Sequence, residues 1–597
     1  MHVSVRCLFT LSLAVTLSRA SDILSVTTNL GIIQGSLCAH TNASGFQSIP
    51  YAQPPVGDLR FEPPQPYNAS FSNGLLNATQ PAPSCIQFGN QFIENGAQSE
   101  DCLYLDVWVP PNTTPSSALP VKVWVYGGSE TAGGISDPLY NGCDLAAADT
   151  LFVSIAYRLG PLGWLALADA GIDGNFGIQD ILLGLQWVQS NIADFGGDPQ
   201  KVLLFGQSAG ADNTFVISTL PQASTLMKAA ITESGGGRDT ALNAKVQSMG
   251  LTYAKSVGCG SSDIACFKSK TVQQLNNTYS GNISDPYVDG KVIPTQPSTA
   301  GANVPIILGS NAMEGTLDLL GEYGSPEAVN ATAYTTYLTA EFGPLSNLVS
   351  QQYPLSAFNA SPFPAYSALT TISTDYNYKC PAYRGLVRAF EKGIPAWTYF
   401  FARAPSCPWY ALIPSDPQAL ESLGATHTAE IPYVFGNIYD LPLPDGSCNF
   451  TDAEKEISTF MVAAWSGMAA NATPNGGASN ITWPAFDPKT SLGIKINASV
   501  VPGVVDYSPC AFFDVIDGLI YNASVKANGG STNANLSSSG GNSTATGTGL
   551  ANGTAAGGKG VPSPTSVASF TGNARGSFAN VVGAIVVGMT VVGLGML

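Results

Sequence analysis

Histidine is scarce in this 597-residue chain, which contains three: His2, His40 and His427. There is no Cys-x-x-Cys pair either, so a histidine-rich metal enzyme and a zinc-ribbon site are both excluded. Charge is sparse and mostly of one sign. Charged residues make up 11% of the chain, with 24 Lys and Arg against 41 Asp and Glu, a net charge of -17. Such a chain has no electrostatic footprint for nucleic acid. No internal repeat and no long linker interrupts it before about residue 525, which points to one large domain. At 45% hydrophobic and 10% aromatic residues it can bury a sizeable core, and wholesale disorder and collagen-like structure are excluded.

The two ends differ in character from the middle. Residues 1–20 read as a secretory signal: His2 and Arg6, an apolar run from Cys7 to Leu17, then Ser18-Arg19-Ala20 with small residues placed for cleavage. Removal of Cys7 leaves ten cysteines, 11 - 1, an even number suited to five disulfides in an oxidising compartment. About sixteen Asn-x-Ser/Thr sequons, among them Asn42, Asn112, Asn330 and Asn480, agree with secretion. From Lys526 to about Ser566 the composition collapses to Gly, Ser, Asn, Thr and Ala, a flexible stalk that cannot bury a core. Phe578 to Leu597 is apolar to the last residue with no basic cluster behind it. That pattern, with the small residues Ser566-Val567-Ala568 and a polar spacer before the tail, is expected of a removable glycolipid-anchor signal over residues 567–597 rather than of a single-pass helix. The membrane would then be met only through the lipid.

Between the ends, short apolar runs alternate with amphipathic ones. Val121–Tyr126, Leu151–Tyr157, Lys201–Phe205, Ala229–Thr232 and Val304–Leu308 read as buried strands, and residues 178–193 carry helical periodicity. The expectation is an α/β fold over residues 21–525, with a mostly parallel central sheet and helices on both faces. Chemistry in such a sheet gathers beyond the carboxyl ends of the strands.

Gly206-Gln207-Ser208-Ala209-Gly210 follows one of these strands and precedes a helix-like run from Ala209 to Leu220. Glycines there let a strand turn sharply into a helix, with the central serine hydroxyl pushed out above the sheet. A serine needs a base to take its proton. His2 leaves with the signal and His40 lies in a turn beside a sequon, so His427 is the candidate. The base needs a carboxylate to hold its tautomer. Glu314 directly follows the apolar run Val304–Leu308, with Asp318 as its rival. The order Ser208, Glu314, His427 is the chain order of α/β hydrolases.

Several blocks in this order resemble the secreted type B carboxylesterase and lipase family, which includes the cholinesterases: Ser99-Glu-Asp-Cys-Leu-Tyr-Leu105, Tyr157-Arg-Leu-Gly160, Phe195-Gly-Gly-Asp-Pro199, Phe205–Gly210, Gly309–Gly315 and His427–Gly436. The likeness spans about residues 22–520. It implies an α/β-hydrolase fold, Ser208, Glu314 and His427 as nucleophile, acid and base, and no cofactor or metal. It also implies a structural ion pair of Glu100 with Arg158, and supporting roles for Ser234 and Glu430. The disulfides it implies are Cys85 to Cys102, Cys259 to Cys266 and Cys380 to Cys510, which leaves Cys407 with Cys448 and Cys38 with Cys143.

One segment departs from the family. Members carry His or Tyr, three glycines and an aromatic residue, because backbone N–H groups must approach a developing oxyanion. This chain has Tyr126-Gly127-Gly128-Ser129-Glu130. The donors expected are the N–H groups of Gly128, Ser129 and Ala209, with Glu130 adding a negative charge beside them. Gln207 replaces the family's usual Glu, and no Trp lies among the 16 residues between Cys85 and Cys102, so the cation-π platform for a choline ester is missing. Phe88 and Phe92 are candidates for a pocket wall. The reading is a serine carboxylesterase acting on a small-molecule or lipid ester, with two alternatives: a cholinesterase-like surface recognition protein without chemistry, or a lipase or sterol esterase.

Overall fold

A computed structural model describes residues 24–527 apart from 89–95, 147–149, 282, 284 and 476–480. The expected signal segment, Phe92, Asn480, the expected stalk beyond residue 527 and the apolar tail lie outside the described residues. The described chain is organised on an eleven-stranded sheet. In chain order its strands are β1 (Ser36–Leu37), β2 (Ser44–Pro50), β3 (Tyr104–Val109), β4 (Leu119–Val125), β5 (Leu151–Ile155), β6 (Gly197–Gln207), β7 (Ala229–Glu233), β8 (Ile306–Asn311), β9 (Ala396–Phe401), β10 (Leu492–Ile496) and β11 (Val500–Val504). The spatial order is β11-β10-β9-β8-β7-β6-β4-β5-β3-β2-β1. Neighbours from β5 to β10 run parallel, and antiparallel strands close both ends.

Each apolar run read as a strand lies in this sheet. β4, β5, β7 and β8 are buried along nearly their whole length, as parallel strands covered on both faces must be. β6 is longer than its apolar run, reaching back to Gly197 through a register shift before Val202. The covering helices include α1 (Phe176–Asn191), α2 (Ala209–Thr219), α3 (Thr316–Tyr323), α4 (Pro364–Thr374), α5 (Cys380–Glu391), α6 (Ile431–Phe435), α7 (Asp452–Asn471) and α8 (Cys510–Ala527). α2 packs on β6 and β7, α5 on β8 and β9, and α7 on β4 and β6. Trp124 of β4 is the centre of an aromatic cluster, with Phe205, Phe435 and Tyr140 at ring-centroid distances of 4.9, 5.0 and 5.1 Å. Phe435 belongs to α6, so this cluster anchors the segment just after His427 to the middle of the sheet.

Five disulfides join Cys38 to Cys143, Cys85 to Cys102, Cys259 to Cys266, Cys380 to Cys510 and Cys407 to Cys448. The expected ion pair of Glu100 with Arg158 is not formed. Arg158 instead grips Asp180 of α1: Nε and Nη2 donate to the two carboxylate oxygens at 2.9 and 2.8 Å, and its backbone N–H donates at 3.0 Å. Both partners are buried, and a fork-to-fork pair satisfies the buried charges in a way that a rim residue does not. Glu100, nearer the surface, pairs with Arg60, whose Nε donates to it at 2.6 Å. No helix among the described residues is long and apolar enough to cross a membrane.

Candidate active site

Four chain segments converge where β4, β6 and β7 end. β6 stops at Gln207, and Ser208 takes φ 58° and ψ -127° before α2 begins at Ala209. That backbone is costly for any residue with a Cβ, on the order of 1–3 kcal/mol, so its neighbours must hold it. The Ser208 N–H donates to the Glu233 carbonyl of β7 at 2.9 Å. A Cβ on Gly206 would lie 2.5 Å from the Gly210 oxygen, and one on Gly210 would lie 2.1 Å from the Val125 oxygen. The glycines are therefore required by close approach of backbone, as the motif implied.

The segment after β4 lies beside this turn. Gly128 has φ 121°, and Ser129 and Glu130 both adopt left-handed conformations at φ 55° and 61°. The Gly128 carbonyl accepts from Thr131 and Ala132 N–H, each at 3.0 Å, and the Glu130 carbonyl accepts from Gly160 N–H at 2.7 Å. This pinning keeps a serine in a shape a glycine takes freely. The N–H groups of Gly128, Ser129 and Ala209 have no partner among the described residues, and are free to receive an anion. Glu130 is buried, and burial, followed by the nearby Asp212 and Asp285, pushes its carboxyl well above the ordinary range. Burial therefore disfavours the charged form of the carboxyl beside the oxyanion segment.

Glu314 follows β8. One carboxylate oxygen accepts from the Asn311 N–H at 2.7 Å, and the other lies 2.7 Å from His427 Nδ1. His427 is 7% exposed. Burial draws its pKa down, but the hydrogen bond and charge of Glu314, with Asp318 and Glu430, outweigh this and leave it raised above 6.5. Asp318, on α3, forms no hydrogen bond with the imidazole among the described residues; burial pushes its own carboxyl up to about 7. Ser208 Oγ and His427 are likewise not hydrogen-bonded here. Gln207 Nε2 instead lies 3.4 and 3.2 Å from the two ring nitrogens. An atom so nearly equidistant from both sits over the ring face, since in the ring plane it would collide with Cε1. His40 lies in an exposed turn between β1 and β2.

Beneath the imidazole, Ser234 donates to Glu430 at 3.3 Å, and Asn311 Nδ2 donates to the other Glu430 oxygen at 2.5 Å. Burial, then the charge of Glu314, pushes the Glu430 carboxyl up to about 7. The sequence reading missed Glu233, which accepts from Trp465 Nε1 at 2.8 Å and is raised by burial and by Glu430. Its position as last residue of the strand beside Ser208 was the available signal. Phe88 is fully buried, 5.4 Å from the Tyr279 ring and against the space a Gly160 side chain would need; it is a core residue, not an open pocket wall. No group of three or more His, Cys, Asp or Glu among the described residues is placed to hold a metal.

The comparisons agree with this architecture. A family model described as "Carboxylesterase family" matches residues 22–510. The chain is 34% identical over 529 residues to a cholinesterase of Mus musculus, covering 80% of this chain and 84% of that protein. It is 31% identical over 498 residues to the para-nitrobenzyl esterase of Bacillus subtilis (strain 168), covering 80% and 95%. A solved structure titled PNB esterase superposes with a TM-score of 0.67 at 28% identity, covering 82% of this chain and 99% of that one. With a matching α/β-hydrolase fold and a family match over most of its length, the chain belongs to the carboxylesterase family.

Proposed function

We propose that this carboxylesterase hydrolyses uncharged carboxylic esters through an acyl-enzyme formed on Ser208. The observation that carries the reading is the 2.7 Å contact of Glu314 with His427 Nδ1, which leaves Nε2 as the proton acceptor, 3.2 Å from the side chain of Gln207, the residue before the strained elbow serine. Ser208 Oγ adds to the ester carbonyl carbon as His427 Nε2 takes its proton. The carbonyl oxygen, now negative, is received by the N–H groups of Gly128, Ser129 and Ala209; one such donor is worth about 100- to 1,000-fold in rate. Collapse expels the alcohol, which carries away the proton from His427, and water repeats the sequence on the acyl-enzyme. Gln207 over the imidazole leaves one fewer negative charge at the site than a Glu there would give, and burial disfavours the charge on Glu130, which favours neutral substrates over cationic ones.

A short-chain p-nitrophenyl ester and a fluorophosphonate probe test this. Turnover and labelling are expected from the wild type and neither from Ser208→Ala; an active Ser208→Ala, or an unlabelled wild type, refutes it. We also infer secretion through residues 1–20 and surface retention by a glycolipid at the carboxyl end, supported by the composition of those segments. A phosphatidylinositol-specific phospholipase C should release the protein from membranes; retention after treatment refutes the anchor.

A further inference from the structure

Between α4 and α5 the chain makes one turn of π-helix over Asp375–Lys379. Such turns are wider and less favourable than α-helix and persist where surrounding contacts hold them, often beside functional sites. Here Tyr353 Oη donates to Asp375 at 2.8 Å, and Asp375 also pairs with Lys379. The turn presents Tyr378 to the base: its ring centroid lies 4.9 Å from that of His427, tilted by 45°.

A second residue holds this turn. Arg238, in the loop after β7, has its guanidinium carbon 5.9 Å from the Tyr378 ring centroid, and its Nη2 donates to the Asn377 carbonyl. Its Nε lies 3.0 Å from Asp212. Asp212 stands in the first turn of α2, where its N–H donates to the Ser208 carbonyl at 3.0 Å and its carboxylate accepts from Gly236 N–H at 2.8 Å. The elbow serine, Asp212, Arg238, Tyr378 and the imidazole thus form one continuous set of contacts.

Glu314 fixes one ring nitrogen of His427 but does not by itself prevent the ring from turning, because the terminal torsion of a histidine is broad. We propose that Tyr378 and Arg238 are positioning residues: Tyr378 holds the imidazole in register with Ser208, and Arg238 ties the turn that carries Tyr378 to the helix that carries the nucleophile. This deepens, and rests on, the reading of Ser208 and His427 as nucleophile and base. A misplacement of about 1 Å at such a pair costs on the order of 100-fold in turnover. The ring supplies the packing, so the hydroxyl is dispensable.

The test is steady-state kinetics of the full chain with a p-nitrophenyl ester, alongside melting curves. Tyr378→Phe should stay within about twofold of wild type, whereas Tyr378→Leu and Arg238→Met should lose about 10- to 100-fold in kcat with KM changed less than about threefold. Arg238 acts through Tyr378, so the double variant should be no worse than Tyr378→Leu alone. Arg238 is half-buried, so Arg238→Met tests the link even if Tyr378→Leu folds poorly. Unchanged kcat in either variant, equal losses in Tyr378→Phe and Tyr378→Leu, or additive losses in the double variant overturns the proposal. If the wild type labels with a fluorophosphonate at Ser208 while Tyr378→Leu keeps its kcat, the positioning role fails and the esterase reading stands. Failure of the wild type to label removes both.

Discussion

Lys122 sits in the middle of β4, between Phe152 of β5 and Leu203 of β6 in the sheet register, on the face that carries Trp124. It is fully buried, its Nζ has no hydrogen-bond partner among the described residues, and burial pushes its pKa down from 10.5 to about 7. Replacing it with Met keeps the stem and removes the ammonium. At about 1.4 kcal/mol per pH unit, the interval from 10.5 to about 7 amounts to roughly 5 kcal/mol of lost stability once both states are protonated. The unfolded chain keeps the proton up to about 10.5 while the folded chain releases it near 7. Across that window the unfolded state binds more protons, so wild-type stability rises with pH from this group. Lys122→Met removes the penalty at every pH. Entropy of unfolding is about 2.1 cal/mol/K per residue, so for a domain of about 500 residues the change is about 4–5 °C in Tm. Melting curves of both proteins at pH 6, 7.5 and 9.5, at one scan rate, should give that gap at pH 6 and a steadily smaller one above. A variant that melts at or below wild type at pH 6, or a gap independent of pH, refutes the reasoning.

Glu314→Gln should reduce kcat by about 10,000-fold. Wild-type kcat/KM should fall as pH drops through the raised pKa of His427, above 6.5; without Glu314, burial dominates and the acid limb of the residual activity moves to lower pH. Glu130→Gln should leave kcat/KM within about threefold of wild type, because burial already disfavours the carboxylate that the amide replaces. Its stability relative to wild type should increase as pH rises through the raised pKa of Glu130, which urea titrations at two pH values would read. Serine at both Cys407 and Cys448 opens a bridge across a separation of 41 residues, worth about 4 kcal/mol of chain entropy; Tm should drop, and kcat more than KM, since the bridge frames the His427 loop.

The fold was legible because parallel strands buried on both faces must be written as unbroken apolar runs, and β4, β5, β7 and β8 are. The elbow was legible because close backbone approach leaves only glycine at 206 and 210. Partners were not. Arg158 faces Asp180 rather than Glu100 because of how the loop around residues 57–62 brings Arg60 to Glu100, a relation between distant segments that no local pattern records. The raised pKa of Glu130 comes from burial and from Asp212 and Asp285, none of which its place in the sequence records. Tyr378 lies in a stretch that continues a helix on both sides, and the single wide turn that aims its ring at His427 leaves no mark in hydrophobic periodicity. Lys122, read as part of an apolar strand, places a buried amine where it has no hydrogen-bond partner among the described residues.

The convergence of backbone at the elbow has a consequence for how such a protein can diversify. A Cβ on Gly127 would lie 2.7 Å from the Gln207 oxygen, and one on Gly235 would lie 2.6 Å from the Ser208 oxygen, so positions 127, 206, 210 and 235 form a single node with no spare volume. Substitutions there shift main chain, including the N–H groups proposed to receive the oxyanion. New specificities must therefore arise in the loops that leave the node, where side chains can be exchanged without moving it. On the proposed reading, the chemistry is confined to the node, and the side chains that would choose a substrate lie in the loops around it.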